Sequence, residues 1–105
     1  MITMTKKELI ANISQKQGVE LYEVRDILQA FLEEMAESLG EKKRIEFRDF
    51  GVFELVERKQ KIGRNPKQAD VAIVIPARYA VKFTPGKKLK QRIEKLPVVK
   101  KKSAH

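Results

Sequence analysis

Apolar positions recur at three- and four-residue steps in the N-terminal part of the chain and at two-residue steps beyond it. Thr5-Lys6-Lys7-Glu8 has the spacing of a capping box, in which the threonine hydroxyl meets the Glu8 amide and the Glu8 carboxylate reaches back to the Thr5 amide. The pattern predicts a helix from there to about residue 17, with Leu9, Ile10 and Ile13 on one face and Gly18 ending it. A second helix is predicted over 21–39. Val24, Ile27, Leu28, Phe31, Met35 and Leu39 form its apolar stripe, and Leu32 widens it. Glu23, Asp26, Glu33, Glu34 and Glu37 fall mostly on the other face and read as a solvated surface. Glu20 is a weak N-cap for this helix, and Gly40 closes it. So broad a stripe on a short chain calls for a partner helix, from elsewhere in the fold or from another subunit.

Arg44-Ile45-Glu46-Phe47-Arg48 then alternates as a half-buried strand does, Asp49-Phe50-Gly51 turns, and residues 52–56 return. Residues 57–70 hold one large aliphatic side chain, Ile62, and cannot build a core of their own. They are flanked by strand signals, residues 52–56 before and 71–75 after, so the simplest geometry is a long hairpin leaving the body with Asn65-Pro66 near its tip. Extended strand from Arg58 to Asn65 spans about 25 Å at roughly 3.3 Å per residue, enough to embrace a duplex. Tyr79, Val81 and Phe83 alternate and return the chain to the body. Thr84 as N-cap and Pro85 at the first helical position predict a last helix, with Leu89, Ile93 and Leu96 on one side and Pro97 stopping it. Residues 97–105, with Lys100-Lys101-Lys102, read as a basic disordered tail.

Charge sharpens this plan. The 105 residues carry 23 Lys and Arg against 14 Asp and Glu, a net charge of +9. Residues 1–56 hold 8 basic and 11 acidic side chains, net −3, whereas residues 57–105 hold 15 basic and 3 acidic, net +12. Such a split describes a scaffold joined to a surface for a polyanion, whether DNA, RNA or an acidic membrane. There is no cysteine, and the one histidine is His105, the last residue. That leaves no disulfide, no thiolate or histidine metal site and no nucleophile–histidine pair, so neither an enzyme, a metal nor a cofactor is expected. Residues 1–7 are too few and too polar for a secretory leader, and no apolar run is long enough to span a membrane.

Three motifs in order, Asp49-Phe50-Gly51-Val52-Phe53, Gly63-Arg64-Asn65-Pro66-Lys67 and Phe83-Thr84-Pro85-Gly86-Lys87-Lys88-Leu89-Lys90, resemble the bacterial HU/IHF family of histone-like DNA-bending proteins. The likeness extends over about residues 3–96. It implies an α+β fold: two N-terminal helices, a three-stranded antiparallel sheet with a protruding β-hairpin arm over about 57–76, and a C-terminal helix, all in an intertwined dimer. Residues 1–96 would form the DNA-binding domain and 97–105 the tail. The implied function is architectural: paired arms bind duplex DNA in the minor groove and bend it by proline intercalation, organising nucleoid DNA or nucleoprotein complexes in the cytoplasm. Carried over to this chain, Pro66 is the wedge, flanked by Arg64, Asn65 and Lys67. Arg58, Lys59 and Lys61 line one arm strand, Arg78 and Lys82 the other, and Lys87 and Lys88 hold phosphate. Proline suits the wedge role because it is apolar, rigid and leaves no donor unpaired. The plainer reading of Asn65-Pro66 is a loop former.

The segment Ile45-Glu46-Phe47-Arg48 is closer to the IHF type, where an arginine at this position reaches the minor groove; the alternative is a surface pair of Arg48 with Glu46. Many members carry glycine where Asp49 stands, and a carboxylate there repels phosphate unless it pairs with Arg48 or points away. The tip reads Gln68-Ala69 where Thr-Gly is usual, and the stretch from Arg64 to Gly86 is one residue longer. Partners expected from the resemblance are double-stranded DNA and a second subunit, identical or related, and no membrane. An RNA-binding module is the alternative, but it requires exposed aromatics for base stacking, and residues 57–71 contain none. A membrane-surface role rests only on the short stripe of Leu89, Ile93 and Leu96.

Overall fold

A computed structural model of the chain describes residues 2–65 and 67–98. They form two compact units that divide after Glu41. The first unit is a pair of helices, α1 (Lys6–Gln17) and α2 (Leu21–Gly40). Thr5 caps α1, its hydroxyl oxygen accepting the Glu8 amide at 3.2 Å. The other half of the box differs from expectation, because the Glu8 carboxylate takes the Thr5 hydroxyl proton, not the Thr5 amide. Gly18 ends α1 at φ 65°, in the left-handed region. Glu20 gives α2 no side-chain cap, and the helix runs through Gly40 to end at Glu41, one residue later than expected. Across the pair, Lys6 Nζ donates to Gln29 Oε1. Ile10 and Val24 are the buried apolar residues among those described, whereas Ile27, Phe31 and Leu32 of α2 are exposed. The acidic side chains of α2 are solvated, as expected.

The second unit is built on strands β1 (Ile45–Phe47), β2 (Gly51–Arg58), β3 (Lys61–Asn65), β4 (Gln68–Ile75) and β5 (Arg78–Pro85), followed by helix α3 (Lys87–Glu94). The strands make a three-stranded antiparallel sheet in the order β1-β2-β5 and a separate two-stranded ladder, β3-β4. Because side chains alternate across a strand and cross-strand partners share a face, the register sorts the sheet into two faces. Phe53 pairs with Phe83 and Leu55 with Val81 on one; Glu54 pairs with Lys82, Val56 with Ala80 and Arg58 with Arg78 on the other. The first face holds an aromatic cluster, with the Phe53 and Phe83 centroids 4.6 Å apart and Phe47 and Phe50 packed edge-on at 6.2 Å.

The arm is a hairpin of its own. Its ladder is interrupted from the body at Lys59-Gln60 on one side and Pro76-Ala77 on the other. Pro76 has no amide to donate, so it removes a ladder hydrogen bond where the arm leaves the body. Arg64 pairs with Ala72 but Asn65 with Gln68, so residues 69–71 bulge out of register near the tip.

The last helix corrects an expectation. Thr84 and Pro85 do not start it; they finish β5, opposite Val52 and Gly51. Gly86 is the N-cap and supplies no side chain. The capping acceptor comes from a distant turn, where the Asp49 carbonyl accepts the Leu89 amide at 3.3 Å and the Phe50 carbonyl accepts the Gly86 amide at 2.8 Å. A Cβ on Gly86 would stand 2.8 Å from the Asp49 carbonyl carbon, so only glycine permits this approach. The helix stops at Glu94, short of Pro97. The expected tail lies almost wholly outside the described residues, which end at Val98.

Candidate nucleic-acid interface

Arg58, Arg78 and Lys82 share the face of the three-stranded sheet that is turned away from the aromatic cluster, and all three are exposed. Lys82 faces Glu54 across the ladder, an opposite-charge pair. Arg58 faces Arg78, a like-charge pair at the end of the sheet where the arm begins. Like charges directly opposite one another destabilise a ladder, so this pair calls for an anionic partner.

Lys59 lies in the link that carries the chain from β2 into the arm. On the arm the cations divide between faces. Arg64 shares one face with Ile62, Ala72 and Val74; Lys61 shares the other with Gly63, Ile73 and Ile75. Lys67 occupies the turn between β3 and β4, and the Asn65 backbone ends β3. Pro66, the expected wedge, lies outside the described residues. Ile62 and Val74 are exposed cross-strand neighbours, so the arm offers apolar surface beside its charge.

Arg48 stands in the turn after β1, not on the strand. Its suggested pair with Glu46 does not form, because Glu46 takes Arg44 at 3.1 Å. Arg48 instead lines an open recess of about 520 Å³ between the 48–50 turn and α3, shared with Asp49, Phe50, Lys88, Arg92 and Lys95. Lys87 and Lys88 open α3. Cations in a first helical turn oppose the helix dipole, which favours anions there. Asp49 meets Lys88, its Oδ2 3.7 Å from Nζ, so the carboxylate neither pairs with Arg48 nor turns away.

Arg92 and Lys95 are recess residues that the sequence reading did not single out. Lys88, Arg92 and Lys95 follow one another at four- and three-residue steps, the spacing of one helix face, and that signal was available. Among the described residues no helix is long and apolar enough to cross a membrane.

The family model described as bacterial DNA-binding protein matches residues 4–94. The Chlamydia trachomatis protein described as "Probable DNA-binding protein HU" is 57% identical over 94 residues, covering 90% of this chain and 94% of that protein. The integration host factor subunit beta of Halorhodospira halophila is 44% identical over 91 residues, covering 86% of this chain and 88% of its own. Among solved structures, HU in an Anabaena HU–DNA cocrystal superposes with a TM-score of 0.80 at 31% identity, covering 89% of this chain and all of that one. HU from Thermotoga maritima gives 0.61 at 30% identity, over 86% of this chain and 98% of its own. The α+β fold, the three motifs and these likenesses agree, and the chain belongs to the bacterial HU/IHF family of architectural, non-enzymatic DNA-binding proteins.

Proposed function

We propose that the chain, as a dimer, binds duplex DNA through the minor groove and bends it, with residues 1–96 as the working domain and Pro66 as the intercalating wedge. The observation that carries the reading is the basic strip of Arg58, Arg78 and Lys82 on the exposed sheet face, from which an arm bearing Lys61, Arg64 and Lys67 extends. The arm has the right chemistry for a minor groove. Its cations neutralise phosphate, and its exposed Ile62 and Val74 suit the apolar sugar walls. Lys59, Asn65, Lys87, Lys88 and Arg48 complete the contact set, the last two from the recess beside α3.

The dimer is supported by the helices. Ile27 is 70% exposed and Phe31 47% in the isolated chain, on a helix whose stripe is otherwise made for burial. A second copy of the chain is the simplest cover, and a related subunit is the other, as the relatives named integration host factor subunits alpha and beta suggest. Association with the nucleoid follows from DNA binding. The RNA-binding reading draws no support from the relatives or from the arm, whose described residues carry no aromatic side chain for stacking.

Binding to a short mixed-sequence duplex, titrated against salt, tests the proposal. Affinity falls with a log–log slope of about −0.9 per phosphate neutralised, and single-stranded RNA of equal length competes poorly. Preference for the RNA would overturn it.

A further inference from the structure

We propose that Asp49 withholds Lys88 from DNA, so that an ion pair internal to the protein holds back the phosphate contact at the start of α3. The inference rests on the DNA-binding reading above and concerns the positioning of one of its residues. Asp49 is the acidic member of a recess otherwise lined by Arg48, Phe50, Lys88, Leu89, Gln91, Arg92 and Lys95. Its carboxylate is 3.7 Å from Lys88 Nζ, longer than the roughly 2.7–2.9 Å of a tight charge-assisted bond, and the two side chains are 46% and 75% exposed. A pair so exposed contributes little stability. Its consequence is local: it cancels a cation where an anionic ligand is expected.

The backbone fixes where the Asp49 side chain begins. Asp49 has φ 68°, a left-handed conformation that Asp and Asn adopt more readily than other non-glycine residues. Its carbonyl is engaged by the Leu89 amide, and Gly86 packs against it too closely for any side chain. Asp49 therefore cannot withdraw by moving its main chain. Rotation of either exposed side chain, or displacement by phosphate, frees Lys88. A purely structural alternative has the carboxylate merely offsetting the helix dipole at the start of α3. The two roles differ in what DNA binding reports.

The test compares the wild-type protein with Asp49→Asn and with Asp49→Asn combined with Lys88→Gln, on one short mixed-sequence duplex between about 50 and 200 mM salt. Asparagine keeps the shape and tolerates the positive φ; Asp49→Gly is the second variant, free of any carboxylate or amide. Asp49→Asn is expected to bind about twofold to fivefold tighter, with a salt slope steeper by up to about 0.9 as Lys88 becomes free to neutralise a phosphate. Adding Lys88→Gln is expected to abolish both gains. Wild-type affinity and slope in both Asp49 variants would overturn the inference alone, as would a gain that survives Lys88→Gln. Failure of the wild-type protein to bind the duplex would overturn the DNA-binding reading, and this inference with it.

Discussion

Arg58 stands opposite Arg78 across the β2–β5 ladder, on the face of the sheet that the aromatic cluster leaves bare. Two arginines in cross-strand register put like charges opposite one another, and this arrangement sits where the sheet hands over to the arm. A surface selected for stability alone would carry an opposite charge there, as the neighbouring Glu54–Lys82 position does.

Replacing Arg78 with Gln is therefore expected to separate stability from binding. Urea denaturation gives a protein as stable as wild type, or more stable by about 0.2–1 kcal/mol, from relief of the like-charge pair. Duplex affinity falls, and the salt slope becomes shallower by about 0.9. Loss of stability with unchanged affinity would assign Arg78 to the scaffold instead.

Gly86→Ala is expected to destabilise the protein by about 1–3 kcal/mol, read as a lower urea midpoint. The added methyl group meets the main chain of Asp49 at 2.8 Å and of Phe50 at 3.1 Å, and neither can swing aside as a side chain can. The same experiment on Gly40, which has no atom near its Cβ position, is expected to show no such clash penalty.

Ile27→Glu tests the dimer. An isolated chain already exposes this side chain, so a monomer tolerates the charge, whereas a dimer that buries it loses about 3 kcal/mol or more. Sedimentation equilibrium is expected to show wild type at twice the chain mass and the variant shifted toward one chain mass. Unchanged association would put the interface elsewhere.

Much of this was legible in the sequence because it is local. The caps at Thr5 and Gly18, the stripe from Val24 to Leu39 and the coreless arm each follow from neighbours a few residues apart. What was not legible depends on partners distant in the chain. Thr84-Pro85 has a good helix-start signal, yet pairing with Val52 and Gly51 across the sheet outweighs it and moves the cap to Gly86. The acceptor for that helix start is the carbonyl of Asp49, which no local pattern announces. The pairing of Asp49 with Lys88 rather than Arg48 has the same origin, since α3 docks against the turn and brings the lysine close. Pro76 carried a local signal that the sequence reading did not use, since a proline interrupts a ladder and here separates the arm's hairpin from the sheet.

The central claim is that this chain bends duplex DNA by inserting Pro66. The direct measurement is fluorescence energy transfer between dyes at the two ends of a short duplex, read at saturating protein. Wild type is expected to raise the transfer efficiency strongly, and Pro66→Ala to bind with similar salt dependence while losing much of that rise, because the unstacking wedge is gone. Equal transfer by both proteins would contradict the wedge, and no rise with either would contradict bending itself.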